Sequence, residues 1–343
     1  MRFTRDTSHH IASHQPQDYK KMSKIFAYFF IAAFSCLQIG VTNAAEFPDK
    51  SIRIVVPFPA GGAADTLTRV IGVKLSAILG QAVVVQNMPG AGTIIGTSNV
   101  AKSAPDGYSL LIIANSFLIN AKLQKELPYD GLNALTPVAM LVNSPQVIAV
   151  NATSPYKNFA ELLNKSKESG SAMSYSTVGP NTSQNIAGEL LKSRTGLAAV
   201  YVPFAGGALA GNAVAGGHVT MVLTNWNEIT ANVQSGKLRP LAVTTKQRIE
   251  PLKDTPTLIE LGYPEVDVDV WFGAAAPRGT PPAVLDKLSE SFKAAIADPE
   301  VQKQLVAAGF TPDYQDRQVF TQKIKTQYEF LSKLIDEMGM KAE

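Results

Sequence analysis

Glycines at the start of predicted helices are the residues whose type and spacing best indicate chemistry in this sequence. The stretch FPAGGAAD, residues 58–65, follows the apolar run SIRIVV and precedes TLTRVIGVKLSAIL, which has the spacing of an amphipathic helix. The first N–H groups of a helix lack partners within the helix, and the helix dipole adds partial positive charge there. Glycine also lets a ligand approach the backbone closely. This junction therefore predicts a cradle for an anion, formed by Phe58, Ala60, Gly61 and Gly62.

Asp65, at the end of this stretch, has two interpretations. It is placed to cap the helix or to brace the loop, or it contacts a donor group on a ligand directly. We favour the cap or brace, because an acid beside a carboxylate ligand would repel it.

A second glycine loop, NMPGAGTIIG at residues 87–96, also joins a strand to a helix. Its Gly90-x-Gly92-x-x-x-Gly96 spacing differs from the dinucleotide pattern G-x-G-x-x-G, and no P-loop Lys-Ser/Thr follows. Nucleotide binding is therefore disfavoured.

Two further junctions lie in the second half of the chain. The stretch PFAGG, residues 203–207, echoes PFPAGG at 57–62, so Phe204, Gly206 and Gly207 predict a second cradle. In VGPNTSQN, residues 178–185, Thr182, Ser183 and Asn185 are placed to donate to a ligand or, equally, to cap a helix. Ser116 and Asn225 end two other strands and are predicted to face the same cleft.

Composition excludes several classes of function. The chain has 343 residues, 45% hydrophobic and 17% charged, with a net charge of +3 spread along its length. The sequence has no basic run with interleaved aromatic residues, the pattern that would indicate nucleic-acid binding. Cys36 is the only cysteine, and only His218 lies beyond the leader, where we expect it on the surface at a strand start. We expect Cys36 to leave with the leader rather than to serve as a lipoprotein acceptor, which excludes disulfides, a thiolate metal site and a cysteine nucleophile. One histidine cannot form a multi-histidine metal site, and we predict no cofactor.

The first 45 residues have the pattern of a signal peptide. Lys20, Lys21 and Lys24 precede the apolar run IFAYFFIAAFSCLQIGV and the small residues of TNAAE. The start is Met1 or Met22. The alternative is an uncleaved anchor, but the apolar run is short for a span of about 20 residues. We expect export to the periplasm with cleavage near Ala44 or Ala45.

The remaining chain alternates apolar strands with amphipathic helices, which predicts α/β architecture with largely parallel sheets. IRIVVPF, AVVVQN and YSLLIIAN begin the pattern, and VIAVNA restarts it. The restarted pattern suffices for a second α/β domain of about 120 residues. The C-terminal part is mostly helical. We therefore expect two lobes with a cleft between them.

These motifs, in this order, resemble the Bug family of extracytoplasmic solute receptors of tripartite tricarboxylate transport systems. The resemblance runs from FPDKSIRIVVPFPAGGAAD through GQAVVVQNMPGAGTIIG, APDGYSLL, GKLRPLAVTT, DTPTLIELGYP and WFGAAAPRGTPP to ADPEVQKQLVAAGF. It implies a two-lobed periplasmic binding protein of type II, a Venus-flytrap fold, that closes on a carboxylate. The predicted lobes are 46–145 with 270–343, and 146–269.

The resemblance also implies the site residues and partners. On the first lobe they are Phe58, Ala60, Gly61, Gly62, Gly90, Ala91, Gly92 and Ser116; on the second, Thr182, Ser183, Phe204, Gly206, Gly207 and Asn225. The implied ligand is a di- or tricarboxylate, an amino acid or an aromatic acid. The implied partner is a membrane transporter or a sensor, and we expect a monomer.

The departures from the family fall mostly in the second lobe. Asn185 stands where the family often has His, Ala205 where it often has Lys, Thr224 where Asp is common, and Leu209 where Pro is found. The ligand class therefore stays open.

We expect a receptor that performs no chemistry. Two alternatives remain: an exported hydrolase, which would need Asp65 paired with Glu228 or Asp106, and a partner protein that signals to a membrane sensor.

Overall fold

Two β-sheets, each flanked by helices, make up the part of the chain that the computed structural model describes, residues 47–168, 173–266, 268 and 270–341. The first sheet has the strand order β11-β4-β10-β3-β1-β2, and the second has the order β7-β6-β8-β5-β9.

The first pass through the first sheet alternates strands and helices as predicted. Its elements are β1 (Ile52–Val56), α1 (Ala63–Leu79), β2 (Val83–Asn87), α2 (Ile94–Ala101), β3 (Ser109–Ala114), α3 (Asn115–Leu123) and β4 (Leu135–Asn143). Short 3₁₀ turns at Ala91–Thr93 and Gly131–Ala134 precede α2 and β4.

The second sheet is built from one continuous stretch of chain. Its elements are β5 (Gln146–Asn151), α4 (Phe159–Ser166), β6 (Ser174–Thr177), α5 (Ser183–Thr195), β7 (Val200–Pro203), α6 (Gly207–Ala215), β8 (Met221–Asn225), α7 (Trp226–Gln234) and β9 (Leu238–Val243), followed by a 3₁₀ turn at Glu250–Leu252. The predicted end of α4 at Gly170 lies outside the described residues.

The chain then returns to the first sheet. The returning elements are β10 (Trp271–Pro277), α8 (Pro282–Ala297), α9 (Pro299–Ala307), β11 (Thr311–Gln315) and α10 (Arg317–Glu337). One face of α10 packs into the core, where Phe320, Ile324, Leu331 and Leu334 are buried.

The sheets are mixed rather than largely parallel, which corrects the prediction from sequence. β1 pairs in parallel with β2 and β3, whereas β10 runs antiparallel to β3 and β4. In the second sheet β6 is parallel to β7 and β8, and β5 is antiparallel to β8 and β9. β11 likewise runs antiparallel to β4, at the edge of the first sheet.

The core of the first sheet is built on helix and strand periodicity. Leu67, Ile71 and Leu75 lie on one face of α1 at the spacing of successive helical turns and are buried. They share an apolar cluster with Ile54 of β1 and Phe292 of α8. This packing fixes the position of the N-terminus of α1 relative to the end of β1.

Two segments connect the sheets: residues 144–145 between β4 and β5, and the longer stretch 244–270 between β9 and β10. They are hydrogen-bonded to each other. The Ser144 N–H donates to the Val270 carbonyl at 2.8 Å, and Gln146 Nε2 donates to the Val268 carbonyl at 3.0 Å. The predicted lobe boundaries at 145/146 and 269/270 fall in these segments.

No helix among the described residues is long and apolar enough to cross a membrane. The predicted signal peptide, with its cleavage near Ala44 or Ala45, lies outside the described residues.

Candidate functional site

A cavity of about 330 Å³ lies between the two sheets, at the carboxyl ends of β1, β3, β6, β7 and β8. Ligands of open α/β sheets bind at such ends. The residues of the sequence prediction that line it are Phe58, Ala60, Gly61, Gly62, Ser116, Thr182, Ser183, Gly206, Gly207 and Asn225.

Among the described residues, five helices begin at this cavity: α1, α3, α5, α6 and α7. The N-cap positions of α1 and α6 are Gly62 and Gly206. Gly206 has φ 145° and ψ 150°, which is a backbone conformation that favours glycine. The convergence of first-turn N–H groups and dipoles makes the cavity electrostatically suited to an anion.

The side chains of the cavity wall are mostly apolar. Phe58 and Phe272 meet edge to face with ring centroids 6.2 Å apart, and Val178, Leu209 and Val270 add aliphatic surface. A ligand in this cavity therefore needs an apolar body as well as a group that accepts hydrogen bonds.

The polar side chains of the cavity are held by neighbours. Thr182 is the N-cap of α5, and its Oγ1 accepts from the Asn185 N–H at 3.3 Å. Gln184 Nε2 donates to Asn225 Oδ1 at 2.8 Å, and Thr93 Oγ1 donates to Ser116 Oγ at 3.4 Å. Capping by Thr182, one of the two interpretations for this stretch, is therefore observed.

Asp65 braces the first loop, as one interpretation predicted. It does not cap α1. The helix begins earlier, with Gly62 as its N-cap, so Asp65 lies in the first turn. Its carboxylate accepts from the Gly61 N–H at 2.8 Å, from Arg69 Nε at 3.0 Å and from Asn87 Nδ2 at 3.0 Å. Asp65 does not line the cavity.

The pKa of Asp65 lies below its usual value. Burial raises it, but hydrogen bonds from Arg69, the Gly61 N–H and Asn87, together with the charge of Arg69, lower it by more. Asp65 is therefore an ionised brace that holds the loop against α1 and β2.

The second glycine loop, with Gly90, Ala91 and Gly92, does not line the cavity. It packs against α3 instead, where Asn120 Nδ2 donates to the Gly92 carbonyl at 2.6 Å. Its connection to the cavity runs through Thr93 and Ser116.

Asn185 and Phe204 also lie outside the cavity wall. Asn185 is buried on α5, and Phe204 packs against the apolar cluster of the second sheet. Asn185 lies three residues after the N-cap Thr182, and Phe204 lies two residues before the N-cap Gly206. This proximity to a helix start is why the sequence alone placed both in the cleft.

Glu228 is the charged residue of the cavity that the binding prediction did not include. It lies in the first turn of α7, and Thr224 Oγ1 donates to its Oε2 at 2.6 Å. Burial raises its pKa, while hydrogen bonds from Thr224 and from the N–H groups of Gly207, Asn225 and Ala63 lower it. Its spacing three residues after Asn225 fits a capping box, and this signal was available in the sequence.

The groups proposed for an alternative hydrolase are not brought together at the cavity. Glu228 lines it, whereas Asp65 is engaged with Arg69 and Asp106 pairs with Lys50 at 3.7 Å on the surface. His218 is exposed just before β8, as predicted.

Residues 67–340 match the profile of the tripartite tricarboxylate transporter family receptor, TctC. The chain belongs to this family. Protein BugT of Bordetella pertussis is a relative with 34% identity over 293 residues, which is 85% of this chain and 90% of BugT. The predicted membership of the Bug family is thereby confirmed.

Solved structures of TctC-type proteins have the same fold as this family member. The periplasmic binding protein BugD is 31% identical with a TM-score of 0.81, covering 87% of this chain and 100% of BugD. The structure of Rpa4515 from R. palustris, described with adipate, is 28% identical with a TM-score of 0.82, covering 86% and 99%. MatC from Rhodopseudomonas palustris, with bound malate, is 26% identical with a TM-score of 0.78, covering 84% and 100%. The two-lobed periplasmic binding fold with a cleft is thus confirmed for this TctC-family chain.

Proposed function

We propose that this TctC-family protein is an extracytoplasmic receptor that captures a small organic carboxylate by lobe closure and delivers it to a tripartite tricarboxylate transporter. The observation that carries the proposal is the convergence of five helix N-termini on one cavity between the sheets. These termini offer backbone donors to an anion without a buried positive side chain.

The choice of a carboxylate follows from chemistry and from relatives. A carboxylate accepts several hydrogen bonds at once, which matches the donors of converging helices. Two relatives of similar fold are described with adipate and malate, which supports the same class of ligand here.

The two lobes are proposed to comprise residues 46–145 with 270–343, and 146–269. The connecting segments at Ser144 and Val270 would act as the hinge, because they lie side by side. Ligand binding would favour the closed state, since both lobes contribute to the cavity wall.

The proposal includes export and excludes catalysis. The leader would direct the chain to the periplasm and be removed near Ala44 or Ala45. The cavity would bind its ligand without converting it, because Asp65 and Asp106, the partners that a carboxylate-based hydrolase would require, lie elsewhere.

Thermal unfolding of the protein, expressed with its own leader, tests the proposal. A panel of carboxylates is compared with the corresponding neutral amides. At a ligand concentration of about 100 times Kd, binding stabilises the native state by about 2.7 kcal/mol. We expect at least one carboxylate to raise Tm and its amide to have no effect. A panel in which no carboxylate raises Tm, or in which amides act equally, would contradict the proposal.

A further inference from the structure

Glu228 places a carboxylate of the protein itself at the meeting point of the two lobes. Its Oε2 accepts a hydrogen bond from the Thr224 hydroxyl at 2.6 Å. A Cβ built at Gly62 would lie 3.8 Å from Oε1, and one built at Gly207 would overlap Oε2. The N–H groups of Ala63, Gly207 and Asn225 also lower the pKa of this carboxyl. Since Gly62 is the N-cap of α1 beside the first sheet and Gly207 opens α6 beside the second, one side chain faces both predicted cradles.

These four donors match the capacity of a carboxylate, which has about four lone-pair sites. In either protonation state the group fills the space in front of the two glycine junctions. The sequence predicts that the N–H groups of PFPAGG and PFAGG bind a ligand. The Glu228 carboxylate therefore takes up part of the space in front of these N–H groups.

Gly207 and Thr224 leave a space that the Glu228 carboxylate fills. A Cβ added at Gly207 would overlap Glu228 Oε2 and Thr224 Oγ1, so only glycine leaves room for the carboxylate there. Thr224 itself is fully buried and has the Glu228 carboxylate as its acceptor.

The other polar side chains of the cavity lie at the starts of three helices: Ser116 on α3, Thr182, Ser183 and Gln184 on α5, and Asn225 at α7. Gln184 and Asn225 are hydrogen-bonded to each other. Beside Ser116, Thr182 and Ser183, the walls are formed by Phe58, Phe272 and Val270. This arrangement offers one place for an anionic group and an apolar surface for the rest of the ligand.

We propose that Glu228 is a specificity-determining residue that restricts the ligand to a single carboxylate attached to an apolar body. A second carboxylate would have to displace Glu228 from the starts of α1 and α6 or lie beside it, where two like charges disfavour each other. The inference rests on the proposed function and narrows its ligand class.

Titration calorimetry with matched acids tests this assignment. Straight-chain pairs that differ only in the second carboxylate, such as hexanoate and adipate, are titrated into the wild-type protein and into Glu228→Ala and Glu228→Gln. We expect the wild-type protein to prefer the monocarboxylate. Glu228→Ala frees the donors of α1 and α6, so its preference should shift toward the dicarboxylate by about tenfold or more. Glu228→Gln, which keeps most of the side-chain volume, should shift less.

Glu161→Gln is the matched control. Glu161 occupies the same helix position on α4, where it accepts from the Lys157 N–H at 2.7 Å, but it is exposed and absent from the cavity wall. The preference of the Glu161→Gln variant between the monocarboxylate and the dicarboxylate should equal that of the wild-type protein.

The outcomes separate the two proposals. A wild-type preference for the dicarboxylate, or an unchanged preference in Glu228→Ala, overturns the role of Glu228 and leaves the receptor function intact. Failure of every carboxylate to bind the wild-type protein and both variants overturns the receptor function, and the inference with it.

Discussion

Single residues at the two glycine junctions decide what the cavity can hold. Gly62 and Gly207 both open a helix, but their surroundings differ. A Cβ at Gly62 would lie 3.3 Å from the Pro59 carbonyl and 3.8 Å from Glu228 Oε1, whereas a Cβ at Gly207 would overlap side-chain atoms. Substitution at Gly62 therefore narrows the cleft with little change elsewhere.

Gly62→Val is expected to yield a folded protein with weakened carboxylate binding. The added side chain takes up cavity space beside Pro59 and Glu228. Overpacking of the bound state by about 1 to 3 kcal/mol raises Kd by about 5- to 150-fold. Calorimetric titration with the acid that binds most tightly measures the effect. Gly62→Ala should be intermediate, and an affinity for Gly62→Val equal to wild type would refute the placement of the ligand.

Asp65→Asn should destabilise the protein in a pH-dependent way. Because the folded pKa of Asp65 lies below the usual value of 3.8, its stabilising effect is present above that pH and is lost as pH falls through the folded pKa. Urea unfolding should show a loss of about 1 to 3 kcal/mol near neutral pH and a smaller loss at about pH 3.

Asp130→Asn is the control for this experiment. Asp130 pairs with Arg278 at 3.2 Å, but both side chains are mostly exposed, so the pair should contribute little. Equal losses for Asp65→Asn and Asp130→Asn would contradict the bracing role of Asp65.

The sequence predicted the glycines that line the cavity better than it predicted the side chains that line it. Gly61, Gly62, Gly206 and Gly207 were found because helix starts need glycine where a backbone or ligand comes close. Glu228 was missed as a cavity residue because its spacing after Asn225 indicates only a helix start, whereas its place beside Gly62 and Gly207 depends on the tertiary structure.

At the scale of elements, the cavity depends on where helices begin. Thr182 caps α5 through the Asn185 N–H and lines the cavity, whereas Asn158 caps α4 by accepting from the Glu161 N–H at 2.9 Å, away from the cavity. Both caps stabilise a helix, but only Thr182 lies at the cavity, so a comparison of the two distinguishes an effect on stability from an effect on ligand binding.

Thr182→Ala and Asn158→Ala should each cost about 1 kcal/mol in the free energy of unfolding, the usual cost of a lost N-cap. Only Thr182→Ala should also weaken carboxylate binding, because its hydroxyl and the start of α5 face the cavity. Chemical denaturation and calorimetry on both variants test this. Equal ligand affinities in the two variants would show that α5 does not contribute.

The helices and parallel strands could be predicted from periodicity, but the mixed sheets could not. The LTPVAMLVN and WFGAAAP segments form β4 and β10, which pair antiparallel across the first sheet. β10 joins the first sheet only after the chain has built the second, so its pairing with β3 and β4 depends on contacts that are distant in sequence and that the strand–helix rule does not predict.

At the scale of the whole molecule, function depends on two sheets joined by two adjacent segments. Phe58 and Ser116 approach the cavity from the first sheet, and Thr182 and Gly207 approach it from the second. A ligand that contacts both sides stabilises the closed arrangement over an open one.

Small-angle X-ray scattering should therefore show a smaller radius of gyration when a binding carboxylate is added. The corresponding amide is the control and should leave the scattering unchanged. A carboxylate that binds without any compaction would argue against closure of the lobes around the hinge at Ser144 and Val270.

The resemblance of many motifs in order predicted the family and the two-lobed fold, which the comparisons confirm. The ligand could not be predicted in the same way, because it depends on a few cavity residues such as Leu209 and Glu228 rather than on the shared framework.

A crystal structure with the carboxylate that binds most tightly tests the central claim most directly. We predict that its carboxylate lies in the cavity between the sheets, within about 2.7 to 3.2 Å of donors at the starts of the converging helices. A carboxylate bound elsewhere, such as in the groove lined by Trp226, Arg248 and Phe330, would contradict the account.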